Sequence, residues 1–312
     1  MKKNLLALAA ACLLPAFANG AQEAATSDTI DKARQNGSIV VSYRLANMPF
    51  TYLDSSFEPT GYAKELCDRA VEQIRFEYNL PQLKTVYLPV EARNRIPALQ
   101  NGTIDLECGS TTDNPDRRKL VDFSITYFIS NIRLLTRRDN RYTDLDSLNG
   151  KTVVVTAGTT AEQALEKLEV AKRNIKVLYG KTHSDSFLMV KSGRAYAYLM
   201  DDILLAGLIA ASRDPNAYEI VGPGLSTERY AVMMRKGDER LKEIVNKTLA
   251  KLMASGEATK MYERWFMHPI PPSGIVINLP MSEELAHVFA NPAVERGSHW
   301  DNMVPHTIIP KP

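Results

Sequence analysis

The sequence predicts an α/β protein of two lobes, each a mostly parallel sheet flanked by helices, with the chain crossing between the lobes twice. Strand-like and helix-like segments alternate from Ile39 to Cys108 in β-α-β-α-β order, as expected of a parallel sheet covered on both faces. A second strand, turn and helix start follow over Leu148 to Glu162. Once the N-terminal segment is set aside, roughly 280 residues remain, too many for one typical core and enough for two modest ones.

The N-terminus indicates export. Lys2 and Lys3 precede an apolar run from Leu5 to Leu14, and Ala16-Phe17-Ala18 offers the small-x-small pattern of a cleavage site, so residues 1–18 read as a secretory signal peptide. The run is about half as long as a bilayer span requires. Cys12 invites a lipoprotein reading, but Ala9 stands where such signals carry Leu. The formal charge of +2 includes the signal lysines, leaving a nearly neutral mature chain and no large nucleic-acid footprint.

A short helical segment from Asp28 stops at Asn36-Gly37 and leads into a strand, Ile39 to Tyr43. Arg44 stands where that strand ends, the place where ligands gather in open α/β sheets. Gly61 to Asn79 reads as a helix with Leu66, Ala70, Val71 and Ile74 on one face, followed by a strand from Leu83 to Leu88. A short helix around Arg95 ends at Asn101-Gly102 and feeds the next strand. Phe50 and Tyr52 read as wall or core.

That strand opens the stretch D-L-E-C-G-S-T-T-D-N-P-D-R, Asp105 to Arg117. Gly109 permits a turn, Ser110, Thr111 and Thr112 bring hydroxyls and amides, and Arg117 follows with a planar fork suited to a carboxylate. Such a turn holds an anion; equally, it is a strand-to-helix turn in which Thr112 or Asp113 caps the helix.

The apolar stretch from Ile125 to Thr136 carries the chain into the second lobe. There Val153 to Val155 forms a strand, Ala157-Gly158 turns, and Thr159 or Thr160 caps a helix whose free N–H groups make a second anion-binding turn. His183 starts another helix, and a strand ends at Asp201-Asp202, with Asp202 read as an N-cap. Gly222 to Ser226 reads as the crossing back. The helix Glu239 to Ser255 carries Leu241, Ile244, Val245, Leu249 and Leu252 on one stripe, and Met261 to Phe266 closes the fold. The divisions are a first lobe over 28–128 and 226–279, a second over 129–225, and a tail over 280–312 that reads as a surface wrap. Without the signal, Cys67 and Cys108 remain. An oxidising compartment permits pairing, but nothing in the sequence brings them together, and they read as two buried thiols. No zinc-type spacing occurs, and no metal or other cofactor is expected.

Five motifs carry a resemblance: G-Y-A-K-E-L-C-D-R-A-V from Gly61, L-Q-N-G-T-I-D-L-E-C-G-S-T-T from Leu99, L-N-G-K-T-V-V-V-T-A-G-T-T from Leu148, M-D-D from Met200, and S-G-E-A-x-K-M-Y-E-R-W-F from Ser255. In this order they resemble the extracytoplasmic solute-binding proteins of polar amino acid ABC transporters, and within that family the periplasmic glutamate/aspartate-binding branch. Ala63 departs from the acidic residue usual in the first motif. The resemblance implies a type II periplasmic binding protein fold, a monomer that closes two lobes across two crossover hinge strands, and L-glutamate or L-aspartate as ligand. It further implies delivery to the membrane permease of an ABC importer.

Carried over by position, the resemblance gives Arg117 and Thr112 to the α-carboxylate, with the Thr159-Thr160 turn closing on it, and Asp201 to the α-ammonium. Arg44, Arg95, Ser110 and His183 surround the side-chain carboxylate; Ala92 stands where a hydroxyl is frequent. Two carboxylates and one ammonium require more cations than anions, as three arginines against Asp201 supply. A dehydratase-like enzyme on the same fold would need Asp201 and His183 as an acid/base pair. Ser184 next to His183 makes no triad, since neighbours on a helix do not face each other. No catalytic residue is assigned.

Overall fold

The computed structural model describes residues 28–168 and 170–292; the expected signal peptide and the end of the expected tail lie outside them. In chain order the first group of elements is α1 (Thr29–Asn36), β1 (Ser38–Tyr43), three short strands β2 (Ala46–Asn47), β3 (Thr51–Leu53) and β4 (Pro59–Thr60), then α2 (Tyr62–Glu77) and β5 (Lys84–Pro89). There follow α3 (Arg95–Gln100), β6 (Leu106–Glu107), α4 (Pro115–Arg118) and β7 (Val121–Phe123). The second group is β8 (Phe128–Arg137), β9 (Thr152–Thr156), α5 (Thr160–Lys167), β10 (Lys176–Gly180), α6 (His183–Lys191), β11 (Ala197–Asp201), α7 (Asp202–Ala210), β12 (Tyr218–Val221) and β13 (Thr227–Tyr230). The chain ends in β14 (Met233–Arg235), α8 (Glu239–Ala254), α9 (Glu257–Phe266) and α10 (Glu283–Ala290).

Two larger sheets organise these elements. The first has the order β5-β1-β6-β14-β7 and the second β10-β9-β11-β8-β12, with β13 also paired to β8. In each, one strand runs against the others: β14 pairs antiparallel with β6 and β7, and β8 antiparallel with β11, β12 and β13. Both follow directly on a crossing between sheets, where the chain enters from the opposite end. The remaining neighbours are parallel, joined through the helices between them.

The crossings lie side by side. β13 pairs with the first residues of β8, placing Glu228 opposite Ser130 and Tyr230 opposite Phe128. The return therefore runs along β13, just after the Gly222 to Ser226 stretch, with its first residues on β8 and its last already bonded to the first lobe, where the Arg229 carbonyl accepts from the Asp113 amide and Tyr230 bridges to Thr112. Behind this pair Phe50 packs edge-on to Phe128 and Tyr230, and Phe128 stacks on Phe266. The apolar stripes of α2 and α8 are buried against each other.

Two further features of the fold differ from the sequence reading. Cys67 and Cys108 form a disulfide instead of two buried thiols: α2 lies over the end of β6, and their Cα atoms are 6.3 Å apart, within bridging range. This pairing needs tertiary contact between residues 41 apart in sequence. The tail is also more than a wrap. Ser282 caps α10, which buries Leu285, Val288 and Phe289, an i, i+3, i+4 pattern that proline-rich surroundings obscure.

Candidate functional site

The parallel strands of both sheets deliver their following residues to one cleft. Arg44 follows β1, Arg95 comes after β5, and Ser110, Thr112 and Arg117 lie beyond β6. From the other side Thr159 and Thr160 follow β9, His183 follows β10, and Asp201 is the last residue of β11. All nine line a single cavity, with Met200 as a further wall. Carboxyl ends of strands are where backbone groups lack ladder partners and loops are free to specialise.

On the first-lobe side the arginines are held by neutral groups. Arg117 donates from Nη1 to the Thr112 carbonyl at 2.8 Å, Arg95 donates to the Ala92 carbonyl, and Arg44 Nη2 lies 2.6 Å from His183 Nε2. All three guanidiniums are buried, and among the described residues none forms an ion pair with a protein carboxylate. Arg95 Nε has no hydrogen-bond partner at all. Burial lowers the pKa of each. For Arg95 the lowering is large, and the Arg117 and Arg44 guanidiniums add to it.

The second-lobe side supplies the complement. Asp201 is buried; its Oδ2 accepts from the Tyr230 hydroxyl, while its Oδ1 has no donor. Burial, then the Glu228 carboxylate, pushes the Asp201 pKa well above the usual carboxylate range. A guanidinium only donates, so His183 Nε2 accepts from Arg44 and the ring proton sits on Nδ1, 2.9 Å from the Tyr198 hydroxyl. Burial and the two nearby arginines hold the His183 pKa well below its ordinary value, so the ring is neutral. Both of its nitrogens are engaged away from Asp201, which leaves no acid/base pair.

The pocket hydroxyls all donate within the protein. Ser110 gives its proton to Asn47 Oδ1, Thr159 to the Thr156 carbonyl, and Thr112 and Thr160 both to Glu228. With their protons given away, Ser110, Thr112 and Thr160 have only oxygen lone pairs left to offer the cavity. Thr159 also receives the Glu162 amide, capping α5. Asn114 caps α4 in place of Thr112 or Asp113, and Asp202 accepts from Ser130 and the Asn131 amide rather than capping α7.

Several contributors carried no signal in the sequence reading. Glu228 belongs to the crossing strand, and Tyr198 and Thr156 support His183 from within β11 and β9. Glu107, in β6, is buried with both carboxylate oxygens lacking a donor, and it is the largest charge opposing the lowering of the Arg44 pKa. Among the described residues no group of three or more His, Cys, Asp or Glu is set to hold a metal ion.

Gly158 and Gly207 allow the two lobes to meet around this cavity. Gly158, at φ +80°, brings the turn before α5 so near the first lobe that a Cβ would lie 2.6 Å from the Arg93 Cα. A Cβ on Gly207 of α7 would lie 2.6 Å from the Met48 carbonyl oxygen.

Comparison with known proteins places this arrangement. Residues 39–268 match the family of bacterial extracellular solute-binding proteins, family 3. The chain is 44% identical over 266 residues to the L-glutamate/L-aspartate-binding protein of Pseudomonas aeruginosa, covering 85% of this chain and 88% of that one. It is 43% identical over 294 residues to the glutamate/aspartate import solute-binding protein of Escherichia coli, covering 94% and 97%. Among solved structures, an ancestral arginine-binding protein bound to arginine superposes with a TM-score of 0.67 at 29% identity, covering 74% of this chain and 98% of that chain. The fold is thus that of the two-lobed amino acid-binding proteins, and the chain belongs to the bacterial extracellular solute-binding proteins, family 3.

Proposed function

We propose that this protein is a periplasmic receptor that captures L-glutamate or L-aspartate between its lobes and delivers it, as a monomer, to the membrane permease of an ABC importer. Relatives at 43–44% identity that carry glutamate/aspartate import and binding names support the ligand class. The observation that carries the reading is the set of three buried guanidiniums without an ion pair to a protein carboxylate, opposite Asp201 Oδ1, which lines the same cavity and has no donor. A buried charge is costly until it is paired, and an acidic amino acid pairs them together.

In this reading Arg117 and the turn at Thr112 receive the α-carboxylate, and α5, opening at Thr159-Thr160, closes on it with free N–H groups. Asp201 Oδ1 receives the ammonium. Arg44, Arg95, Ser110 and His183 surround the distal carboxylate, where Ala92 offers no hydroxyl. The lobes, 28–128 with 226–279 and 129–225, close by rotation about the paired crossings, so binding energy shifts an open–closed equilibrium without bond chemistry.

Isothermal titration calorimetry of ligand-stripped protein with glutamate, aspartate, glutamine and asparagine tests this. The two acids are expected to bind near ~1 μM or tighter, about −8 kcal/mol, and the amides far more weakly. Equal binding of the amides would replace the acidic specificity with a broad polar one, and no binding of any would remove the amino acid reading.

A further inference from the structure

Glu228 stands outside every motif that carries the resemblance, yet it contacts both lobes. It lies on β13 and is 3% exposed. Its Oε2 accepts from Thr112 Oγ1 at 2.6 Å and from Thr160 Oγ1 at 2.7 Å, and its Oε1 accepts from Ser226 Oγ. Thr112 belongs to the turn after β6 in the first lobe, and Thr160 opens α5 in the second. The Thr112 backbone also bridges to Tyr230, so β13 is already tied to the first lobe. The Thr160 bond is therefore the one that lobe separation breaks.

We infer that Glu228 is a positioning residue that fastens the two lobes through a single carboxylate oxygen and turns the Thr112 and Thr160 hydroxyl protons away from the ligand. The inference deepens the receptor reading and rests on it. A hydroxyl has one proton, whereas a carboxylate oxygen has two lone pairs and takes both donors. Hydrogen bonds to an ionised acceptor are roughly twice as strong as neutral ones. With those protons committed, the threonine oxygens repel a carboxylate and suit an ammonium. The α-carboxylate is left to the Arg117 guanidinium and to backbone amides, which sets the orientation of any amino acid in the cleft. Within the cavity Asp201, Arg117, Arg44, Arg95 and His183 are the other titratable groups, and Glu228 acts on both Asp201 and Arg117.

The test compares Glu228→Leu, Glu228→Gln and Thr160→Val in the full chain. Glutamine keeps the length and one acceptor oxygen, so it is the conservative rescue. Glu228→Leu is expected to weaken binding of glutamate and aspartate about tenfold to a hundredfold, with Glu228→Gln recovering most of that loss. The loss in the double variant Glu228→Leu with Thr160→Val is expected to fall short of the sum of the two single losses, since both remove the same bond; additive losses would overturn the inference.

A second measurement needs no ligand. Electron spin resonance distances between labels at positions 76 and 188, exposed on α2 and α6, report lobe separation directly. Longer separations are expected in Glu228→Leu and in Thr160→Val, and wild-type separations in Glu228→Gln. If Glu228→Leu does not fold, Thr160→Val decides from the other end of the bond. Unchanged distances in the variants that fold would overturn the inference. A wild-type protein that binds neither acid would instead remove the glutamate/aspartate reading, while the distances still decide the part Glu228 plays.

Discussion

Arg44 and His183 meet across the cleft, guanidinium Nη2 to imidazole Nε2 at 2.6 Å, so one lobe's cation is oriented by the other lobe's neutral ring. The geometry requires the imidazole to accept, and Tyr198 and Thr156, which face its other nitrogen, fix the tautomer that does so.

The first prediction concerns acid. The folded pKa of His183 is held well below its ordinary value, whereas the unfolded chain takes up a proton near pH ~6.5. The unfolded state then binds more protons, so this contribution to stability is fully present above about pH 6.5 and is lost as pH falls below it. Denaturant melts of wild type and His183→Gln between about pH 5 and 7 check the sign. Glutamine places an acceptor near the same point without titrating, so its stability is expected to fall less steeply; parallel curves would show that His183 titrates normally.

Asp201 gives the second prediction, for binding. Its pKa is raised in the described structure, and an ammonium against Oδ1 favours the ionised form, so ligand entry releases a proton while the pH lies below that raised value. Affinity is therefore expected to rise with pH and then level off. Binding enthalpies at one pH in phosphate and in Tris are expected to differ by the heat of buffer protonation. Identical enthalpies would mean that Asp201 is already ionised before binding. Asp201→Ala is expected to abolish binding of every amino acid.

Arg95 carries the selectivity prediction. Its Nε lacks a partner, and two neighbouring guanidiniums repel it, a repulsion that a second ligand carboxylate relieves and an amide does not. Arg95→Ala is expected to weaken glutamate binding by about tenfold or more while changing glutamine binding far less. Equal losses for both ligands would move Arg95 out of the selectivity pocket.

These residues were legible for a definable reason. Each of the nine ends or follows a strand that the sequence pattern marks, and the motifs of the resemblance single them out among the residues that gather there. What stayed hidden depends on contacts between distant segments. Glu228 falls in no motif of the sequence, Glu107 is one of two acidic residues flanking Leu106, and the Cys67–Cys108 bond needs α2 laid over β6. The hydroxyl protons were legible as donors but not in their direction, because the acceptors Asn47 and Glu228 lie far along the chain. Helix α10 was missed because the prolines around it outweighed an eight-residue apolar pattern.

Gly207 separates closure from folding. It lies within α7, and the obstacle to a side chain there is the Met48 carbonyl of the other lobe. Alanine is the better helix former by roughly 1 kcal/mol, so Gly207→Ala is expected to hold or raise the melting temperature of the ligand-free protein. In the closed form the added methyl meets backbone that must shift, an overpacking that costs about 1–3 kcal/mol and predicts roughly tenfold or greater loss of affinity for glutamate and aspartate alike. Calorimetric binding and thermal unfolding on the same sample check both arms. Stability and affinity moving in opposite directions would assign Gly207 to lobe closure. A parallel fall in both would make it a folding residue, and unchanged affinity would show that the bound form does not press α7 onto Met48.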